Sequence, residues 1–554
     1  MQSEFRREKI VISTILLVIS MAVLLISTGN QIYPFLPVGA LTSTVIILIA
    51  AKGQPRSYGC MIGLVTGISV FYRVFTFNFP PSLIGVDPDR WATNIQKIVN
   101  SGSIEPLNVY FYSDAPLYFI IGAEVQILSG MDTASSMIVF PVILGFLMPT
   151  GASILTKRLT GNLRTSIVAG TIAAITTMTI WLAYWPIPQS LATAYWIVFF
   201  LSVILYQSTG QKATLPVTIV SLIGIMYTHK MPFIILALAV LGIILFHLVH
   251  EIVYSQKISL DRRWVIIGSI VSLFVTLQWL FLTNFGFSVV LRSARFFRTD
   301  SLTIQSPIVE NPSHAVSAFS GLFGIFIRRT HAFVLLPISG LGWLYLLLSN
   351  KHSKTAWIVL NGASAAVIFV AIGVINPLVS SPLRAVLMGE IFFAVLVSVL
   401  VSPLYENRKI IKRGIGVLIL IGVLTSQLGV VYAAPDNPHH ARVYLSNEEV
   451  QGKVFGHEHI TGSVRADAYY ANERTPYELR RGITYNTTYI PMTAELLNAE
   501  LRDKQYEYVA HRTEVQIYRL PGGIWQLTWD PEAYLNNSYD QIYSNGGVDF
   551  YHKN

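Results

Sequence analysis

Three aspartates lie close together in the sequence between two long apolar stretches. Asp87 and Asp89 belong to a Gly-Val-Asp-Pro-Asp-Arg-Trp run that starts at Gly85, and Asp114 belongs to a Tyr-Ser-Asp-Ala-Pro-Leu run that starts at Tyr112. Carboxylates that face lipid are costly, so acids at a membrane boundary usually serve a site or a solvated loop. A well-placed carboxylate can take a proton from a hydroxyl group as a general base. We therefore treat Asp87, Asp89 and Asp114 as candidate catalytic residues.

The same stretch also has a purely structural interpretation. Asp87 is predicted to be a helix N-cap, with Pro88 at the first helical position, where a missing N–H does no harm. Gly102 is predicted to end this helix. The apolar residues of the helix share one face at helical spacing: Trp91, Ile95, Ile98 and Val99. The pattern predicts an amphipathic helix over residues 89–100 on the membrane surface. Capping does not exclude chemistry, because a cap also holds a carboxylate rigidly.

The composition indicates an integral membrane protein. The chain has 554 residues, of which 53% are hydrophobic and 12% charged. The net charge of +9 is explained by basic cytoplasmic loops and does not require a nucleic-acid partner. Cys60 is the only cysteine, which excludes an intramolecular disulfide. Arg6, Arg7 and Lys9 precede a first apolar run, which predicts an uncleaved anchor.

Apolar segments of helical length predict about thirteen transmembrane helices. They are Ile10–Ser27, Pro34–Ala51, Gly59–Phe75, Ser136–Leu155, Ser166–Leu182, Leu191–Tyr206, Leu215–Tyr227, Phe233–Val253, Trp264–Leu282, Ala332–Leu348, Ala356–Ile375, Ala385–Leu404 and Gly414–Tyr432. Pro116–Leu128 is shorter and contains Glu124, so we expect a surface or re-entrant helix there.

The distribution of basic residues predicts the orientation. With a cytoplasmic N-terminus, most Lys and Arg fall in inner loops, as the positive-inside rule requires. Residues 1–433 would then form the transmembrane part, with two large outer loops at 76–135 and 284–331. Residues 434–554 are polar and aromatic, which predicts a small outer α/β domain.

Cations on the outer side form the second group of candidates. Arg292, Arg295 and Arg298 recur every third residue in the outer loop 284–331. They either snorkel to lipid phosphates or clamp a substrate phosphate, for which Arg is suited. Further candidates for substrate binding lie on the same side as Asp87 and point to a shared cavity, although each is also explained as an interfacial anchor or loop residue: His229, Lys230, Arg384, Tyr112 and Glu124.

The C-terminal region carries fewer chemical signals. Tyr508–Leu520 is predicted to be a strand, and Tyr539–Tyr551 a hairpin that turns at Asn545-Gly546. Asn486 and Asn536 each begin an N-glycosylation pattern. His457-Glu458-His459 has no further ligands at a recognisable spacing, so a metal site there is disfavoured.

The motifs around Asp87 and Asp114 resemble those of the GT-C class of membrane glycosyltransferases. In that class an acidic motif opens the first large outer loop, surface helices follow, and a Pro-Leu motif, here Pro116-Leu117, introduces the next one. Pro382-Leu-Arg384 is similar to the late Arg motif of the class, and the Tyr543-Ser-Asn-Gly hairpin resembles several archaeal members. The Trp-Trp-Asp motif of oligosaccharyltransferases is absent from the sequence, which argues against en bloc glycan transfer.

The resemblance implies a hexosyl- or pentosyltransferase of the cell membrane. It would move one sugar from a polyprenyl (dolichyl-type) phosphate to a glycan, lipid or protein acceptor on the outer face. Asp87 would be the base, with Asp89 or Asp114 orienting the acceptor, or Asp87 and Asp89 holding Mg²⁺ or Mn²⁺; no other cofactor is implied. Two alternatives remain: a transporter or flippase of lipid-linked glycans, and a non-catalytic membrane scaffold with a sensor domain.

Overall fold

The structure is a computed structural model, and it describes residues 58–78, 81–83, 85–107, 111–250, 262–283, 285–288, 290–291, 313–317, 330–349, 353–375, 382–407, 409–427, 444–481, 488–520 and 523–553. The predicted spans Ile10–Ser27 and Pro34–Ala51 lie outside these residues. The helices that precede the C-terminal region are α1 (Tyr58–Asn78), α2 (Val86–Ser101), α3 (Leu117–Ser129), α4 (Thr133–Ser136), α5 (Val139–Thr160), α6 (Leu163–Ala174), α7 (Thr177–Tyr184), α8 (Pro188–Thr209), α9 (Leu215–Met226), α10 (Met231–His250), α11 (Arg262–Thr276), α12 (Thr330–Leu348), α13 (Lys354–Ile375), α14 (Pro382–Tyr405) and α15 (Ile410–Ser426).

Long apolar helices dominate this part of the chain. Within the described residues, seven helices are long and apolar enough to cross a membrane: Tyr58–Asn78, Thr133–Thr160, Pro188–Thr209, Arg262–Leu282, His331–Leu348, Lys354–Ile372 and Arg384–Tyr405. Each coincides with an apolar segment expected to be a span. The protein is therefore a polytopic helical membrane protein, and the total of about thirteen spans stays a prediction.

One predicted span is broken in two. Residues 166–182 were expected to form a single helix, but α6 ends at Ala174 and α7 starts at Thr177. Thr176 has an extended ψ of 132°, so the helical hydrogen-bond ladder stops there. The break is buried, and polar side chains from other helices contact it. Arg73 of α1 donates to the Ala174 carbonyl at 2.8 Å, and Glu390 of α14 accepts from the first turn of α7.

The segment after α1 folds as two packed helices. α2 ends at Gly102, as predicted, and α3 spans nearly the residues expected for a surface or re-entrant helix. The two helices approach closely because Gly122 has no side chain. A Cβ at that position would lie 2.5 Å from Ile95 Cδ1.

The start of α2 corrects the capping prediction. The N-cap is Gly85, not Asp87, and Asp87 is the second helical residue. Gly85 has φ 82° and ψ 157°, a backbone conformation that residues other than glycine rarely adopt. No side chain within the segment caps the helix. Asp87 and Asp89 both lie in the first turn, where negative charge is favourable to the helix dipole.

The C-terminal region contains two sheets. Strands β3 (Tyr489–Pro491), β2 (Val464–Ala466), β4 (Tyr508–Arg512), β8 (Val548–His552) and β7 (Asp540–Ser544) form one sheet in that order. Strands β1 (Ala315–Ser317), β6 (Gly523–Leu527) and β5 (Ile517–Leu520) form the other. The helices of this region are α16 (Asn447–His459), α17 (Ala468–Asn472), α18 (Pro476–Arg480), α19 (Thr493–Leu497) and α20 (Pro531–Ser538).

Two strand predictions have different outcomes. The hairpin around Asn545-Gly546 is confirmed, because β7 and β8 pair antiparallel. The single strand predicted over Tyr508–Leu520 is wrong, because residues 513–516 separate β4 from β5 and the two strands join different sheets. The three-stranded sheet also takes an edge strand, β1, from the loop 284–331, and Val316 of β1 pairs with Gln526.

Candidate functional site

The start of α2 fixes the backbone that carries Asp87. Gly85 is buried beneath the indole of Trp185, and a Cβ on Gly85 would lie 3.1 Å from that ring. Trp185 follows the last residue of α7, so the position of α7 places this ring against the start of α2. Asp87 lies two residues further on and is half-buried. Its carboxylate is therefore attached to a constrained turn and retains access to a ligand.

Tyr112 links the charged groups of the site. Its ring packs edge-on against Trp91 at 5.0 Å between centroids, and lies 6.4 Å from the ring of His229. Burial raises the pKa of the Tyr112 hydroxyl, the positive charge of Arg384 opposes that rise, and the negative charge of Asp87 adds to it. Asp87 and Arg384 thus both lie within electrostatic reach of one hydroxyl group.

His229 lies in the turn between α9 and α10. It is 2% exposed, and the Met231 N–H donates to its Nδ1 at 3.1 Å. Because Nδ1 accepts, the proton of the neutral ring is on Nε2. Burial lowers the pKa of His229 well below its usual value, and the charges of Arg384 and Lys230 lower it further. The ring is therefore a neutral hydrogen-bond donor at physiological pH.

Two cations accompany this histidine. The Lys230 Nζ lies 4.7 Å from the ring centroid of Phe285 and 5.6 Å from that of Phe111, at distances typical of cation–π contacts. Arg384 is half-buried as the third residue of α14, and its carbonyl accepts from the side-chain amide of Gln189 at 3.3 Å. The structure thus brings together five residues expected to share a cavity: Asp87, Tyr112, His229, Lys230 and Arg384.

Asp89 belongs to a different environment. Residues two apart on a helix point about 200° from each other, so Asp89 faces away from Asp87. It is 1% exposed, and its Oδ2 accepts the backbone N–H of Arg474 at 2.7 Å. Burial raises the pKa of Asp89 well above its usual value, while the Arg474 N–H and the charge of Lys453 oppose the rise. This carboxyl contacts the C-terminal region and not the group around Tyr112.

This geometry does not suit a Mg²⁺ or Mn²⁺ ion shared by Asp87 and Asp89. The two carboxylates diverge, and one oxygen of Asp89 is already bonded to a backbone N–H. Among the residues that the structure describes, no group of three or more His, Cys, Asp or Glu side chains could hold a metal. In the His457-Glu458-His459 run, His457 Nε2 lies 2.9 Å from Glu478 Oε1.

The other predicted residues are outside this group. Asp114 is exposed, in a turn in which its backbone N–H donates to the Phe111 carbonyl at 3.3 Å. Glu124 is exposed on α3. The Arg292, Arg295 and Arg298 cluster lies outside the described residues, so its interpretation as a phosphate clamp stays a prediction.

Sequence reasoning missed several residues around the site. The Gln278 side chain donates to the Met226 carbonyl at 2.8 Å and holds the turn that carries His229. A single amide within the apolar segment Arg262–Leu282, which continues α11, was a usable signal. Glu473 accepts the Gly85 N–H at 3.1 Å. Nothing in the sequence around Glu473 indicates this contact, because the two residues are far apart in the chain.

No protein-family model matches this sequence, and no curated protein matches it. The fold is similar to that of ArnT from Cupriavidus metallidurans bound to undecaprenyl phosphate, with a TM-score of 0.49 and 11% identity over 88% of this chain and 97% of that chain. It is also similar to the arabinofuranosyltransferase AftD from Mycobacteria, with a TM-score of 0.45 and 11% identity over 89% of this chain and 40% of that chain. At these values the likenesses describe the fold alone.

Proposed function

We propose that this chain is a GT-C-type membrane glycosyltransferase, specifically a hexosyl- or pentosyltransferase. It moves a single sugar from a polyprenyl (dolichyl- or undecaprenyl-type) phosphate to a glycan, lipid or protein acceptor. The observation that carries the proposal is the group around Tyr112, whose ring lies 6.4 Å from that of His229 and whose hydroxyl pKa is affected by the charges of both Asp87 and Arg384. A glycosyl transfer from a lipid phosphate needs a base for the acceptor and positive charge for the leaving group.

The chemical step uses the charged groups near Tyr112. The acceptor oxygen forms a bond to the anomeric carbon of the sugar, and the bond from that carbon to the phosphate oxygen breaks. Asp87 takes the hydroxyl proton of the acceptor. The bonding electrons leave with the polyprenyl phosphate, whose negative charge is stabilised by Arg384 and Lys230. A lipid phosphate is a good leaving group, so no strong general acid is required.

His229 and Tyr112 have supporting roles in this proposal. The neutral His229 ring presents an Nε2–H that can donate to a phosphate oxygen without a change in its protonation. Tyr112 keeps its proton because burial raises the pKa of its hydroxyl. It can therefore donate to the donor sugar or to the phosphate. Asp114 and Glu124, which are exposed, are proposed to orient the acceptor, and the Arg292 cluster to extend the phosphate contacts.

The proposed location is the outer face of the cell membrane, with a cytoplasmic N-terminus and an outer C-terminal region. The support is the distribution of basic loops, together with contacts between the start of α2 and the C-terminal region. The Leu445 N–H donates to Ser82 Oγ at 2.9 Å, and the Arg474 N–H donates to Asp89. Segments that bond to each other must lie on the same side of the membrane.

One observation favours the alternative of a transporter for lipid-linked glycans. Transporters use discontinuous helices at their sites, and α6 and α7 are separated by a buried break next to Arg73 and Glu390. The break differs from such a site because its polar groups bond to one another. Arg73 donates to Thr179 at 2.9 Å, and Glu390 accepts from Met178 and Thr179.

The test is an assay in which transfer and transport give different products. Purified protein in vesicles is supplied with a series of polyprenyl-phosphate sugars carrying labelled sugar, and with a mixed pool of glycan, lipid and protein acceptors. A glycosyltransferase releases free polyprenyl phosphate and moves the label to an acceptor. Movement of intact labelled donor across the bilayer would contradict the proposal and support the transporter. Neither product, with a donor that binds, would support the scaffold.

A further inference from the structure

We infer that Asp89 and Glu473 are positioning residues through which the C-terminal region holds Asp87 in its catalytic orientation. This inference rests on the proposed function for its catalytic part. The observation behind it is a reciprocal pair of hydrogen bonds. Asp89 on α2 accepts the N–H of Arg474, at 2.7 Å, and Glu473 accepts the N–H of Gly85, at 3.1 Å. Each carboxylate therefore binds the backbone of the segment that carries the other.

The two bonds bracket Asp87. Gly85 precedes it by two residues and Asp89 follows it by two, so the first turn of α2 is attached at both ends to consecutive residues of the C-terminal region. α2 has no side-chain cap of its own. Helix ends that lack a cap leave backbone N–H groups without partners. Glu473 supplies from outside the acceptor that the sequence of α2 does not provide.

The backbone at Gly85 makes this support necessary. Glycine at φ 82° has wide conformational freedom, so the entry to α2 would be loosely defined without tertiary contacts. Trp185 covers one side of Gly85, and Glu473 binds its N–H. The direction in which α2 leaves Gly85, and hence the direction of the Asp87 side chain, is set by these two residues.

The C-terminal side of the contact is itself rigid. Lys453 is fully buried, donates to the Glu473 carbonyl, and lies with its Nζ 3.5 Å from Glu478 Oε2. Thr475 and Glu478 form a capping box at the start of α18. The Glu473–Arg474 segment is thus held between a buried cation and a capped helix, and it can serve as a fixed reference for α2.

Both carboxyls are buried and each keeps one oxygen with no hydrogen-bond partner, Asp89 Oδ1 and Glu473 Oε2. Burial raises the pKa of Glu473, the charge of Asp89 raises it further, and the charges of Arg512 and Lys453 oppose the rise. A neutral Glu473 still accepts from Gly85 through Oε1. The bond therefore depends on an oxygen acceptor at this position and not on a negative charge.

The experiment compares Glu473→Ala with Glu473→Gln, and uses Glu500→Ala as a matched control, because Glu500 is an exposed carboxylate of the same region. The first readout needs no activity: amide hydrogen exchange of the peptide that covers residues 85–92. We expect exchange there to rise at least about 10-fold in Glu473→Ala and to stay at the wild-type rate in Glu473→Gln and in the control. Exchange of residues 117–129 should be unchanged.

The second readout is sugar transfer. We expect Glu473→Ala to lower kcat about 10-fold with the donor KM within about twofold of wild type, and Glu473→Gln to restore kcat. Unchanged exchange in a folded Glu473→Ala protein would overturn the inference, as would increased exchange with a normal kcat. If the wild-type protein transfers no sugar and exchange still rises, the hydrogen-bond contact stands and the proposed function fails. If Glu473→Ala does not fold, Asp89→Ala is measured in the same two assays.

Discussion

Glu390 accepts the backbone N–H of Thr179 at 3.0 Å, and with its second oxygen it accepts that of Met178 at 2.9 Å. A carboxylate from α14 thereby caps the start of α7, which follows the break after α6. The same helix α14 carries Arg384 as its third residue, and Trp185 follows the last residue of α7. The Glu390 side chain thus connects α14, which carries Arg384, to α7, which is followed by the Trp185 ring that covers Gly85.

We predict that Glu390→Ala destabilises the protein. It leaves two buried N–H groups without an acceptor, each of which costs about 1–3 kcal/mol. A thermal unfolding assay in detergent should show a clear decrease of Tm, whereas Glu390→Gln, which keeps one acceptor oxygen, should show a smaller one. Glu124→Ala removes an exposed carboxylate from α3 and is the control. Equal Tm values for Glu390→Ala and the control would exclude the capping role.

The second prediction concerns the base. Asp87→Asn should lower sugar transfer by about 100-fold or more, the usual range for losing a general base, because an amide cannot accept the hydroxyl proton. Since Asp87 is not the N-cap, the change removes only a favourable interaction with the helix dipole, worth about 0.3–1 kcal/mol. Transfer rates and Tm are both measured, with Glu105→Gln as the control for an exposed acid of the same segment. Near-normal transfer by Asp87→Asn would move the search for the base to Asp114 and Glu124.

The third prediction concerns the phosphate. Arg384→Ala should lower the affinity for a polyprenyl phosphate at least about 10-fold, because a charge-assisted contact is lost from a half-buried position. Arg384→Lys keeps the charge and loses the planar fork, so it should recover only part of the affinity. Binding is measured by titrating purified protein with a labelled polyprenyl phosphate. Arg158→Ala, at an exposed position on α5, should bind as wild type does. Unchanged affinity in Arg384→Ala would reduce this residue to an interfacial anchor.

The fourth prediction concerns acid stability of the C-terminal region. Burial lowers the pKa of His511 to about 4, with Asp467, Asp549 and Asp530 opposing the decrease and Arg512 adding to it. The unfolded chain binds a proton near pH 6.5, whereas the folded chain does not bind it until about pH 4. The stabilisation is therefore present above pH 6.5 and is lost as the pH falls from 6.5 towards 4, by up to about 3 kcal/mol.

Unfolding of this region is followed by hydrogen exchange of β4 and β8 between pH 7 and pH 5, corrected for the intrinsic exchange rate. His511→Gln should flatten the dependence of stability on pH across this window. His552→Gln, at a half-buried position at the end of β8, should leave the dependence unchanged. The same slope in His511→Gln as in wild type would mean that another group carries the acid sensitivity.

The sequence predicted the elements that are fixed by local pattern. Apolar runs of about 20 residues coincide with the described spans, because a helix that crosses lipid must be apolar along its length. The bounds of α3 and the end of α2 at Gly102 follow from short-range signals. The proximity of His229, Lys230 and Arg384 was also predictable, since these residues were expected at outer ends of spans on the same side as Asp87.

The predictions of the N-cap and of the unbroken helix failed where tertiary contacts determine the local structure. Aspartate is a residue type preferred at N-caps, so Asp87 was the expected cap. Gly85 takes that position instead, because Trp185 and Glu473 hold its backbone there. Neither Pro nor Gly lies at the break between α6 and α7, so no helix-breaking residue predicts it. The break is stabilised by Arg73 and Glu390 from other helices. Non-local contacts of this kind leave no periodic signal in the sequence.

The edge strand β1 imposes a parity rule on the membrane topology. Ala315 of β1 pairs with Leu527 of β6, so these two strands must occupy the same compartment. An even number of crossings must separate them. Within the described part of this interval, three helices qualify as spans by length and composition: His331–Leu348, Lys354–Ile372 and Arg384–Tyr405. We therefore predict a further crossing in this interval, with the 17-residue helix α15 as the candidate, and this prediction rests on strand pairing instead of on the positions of charged residues.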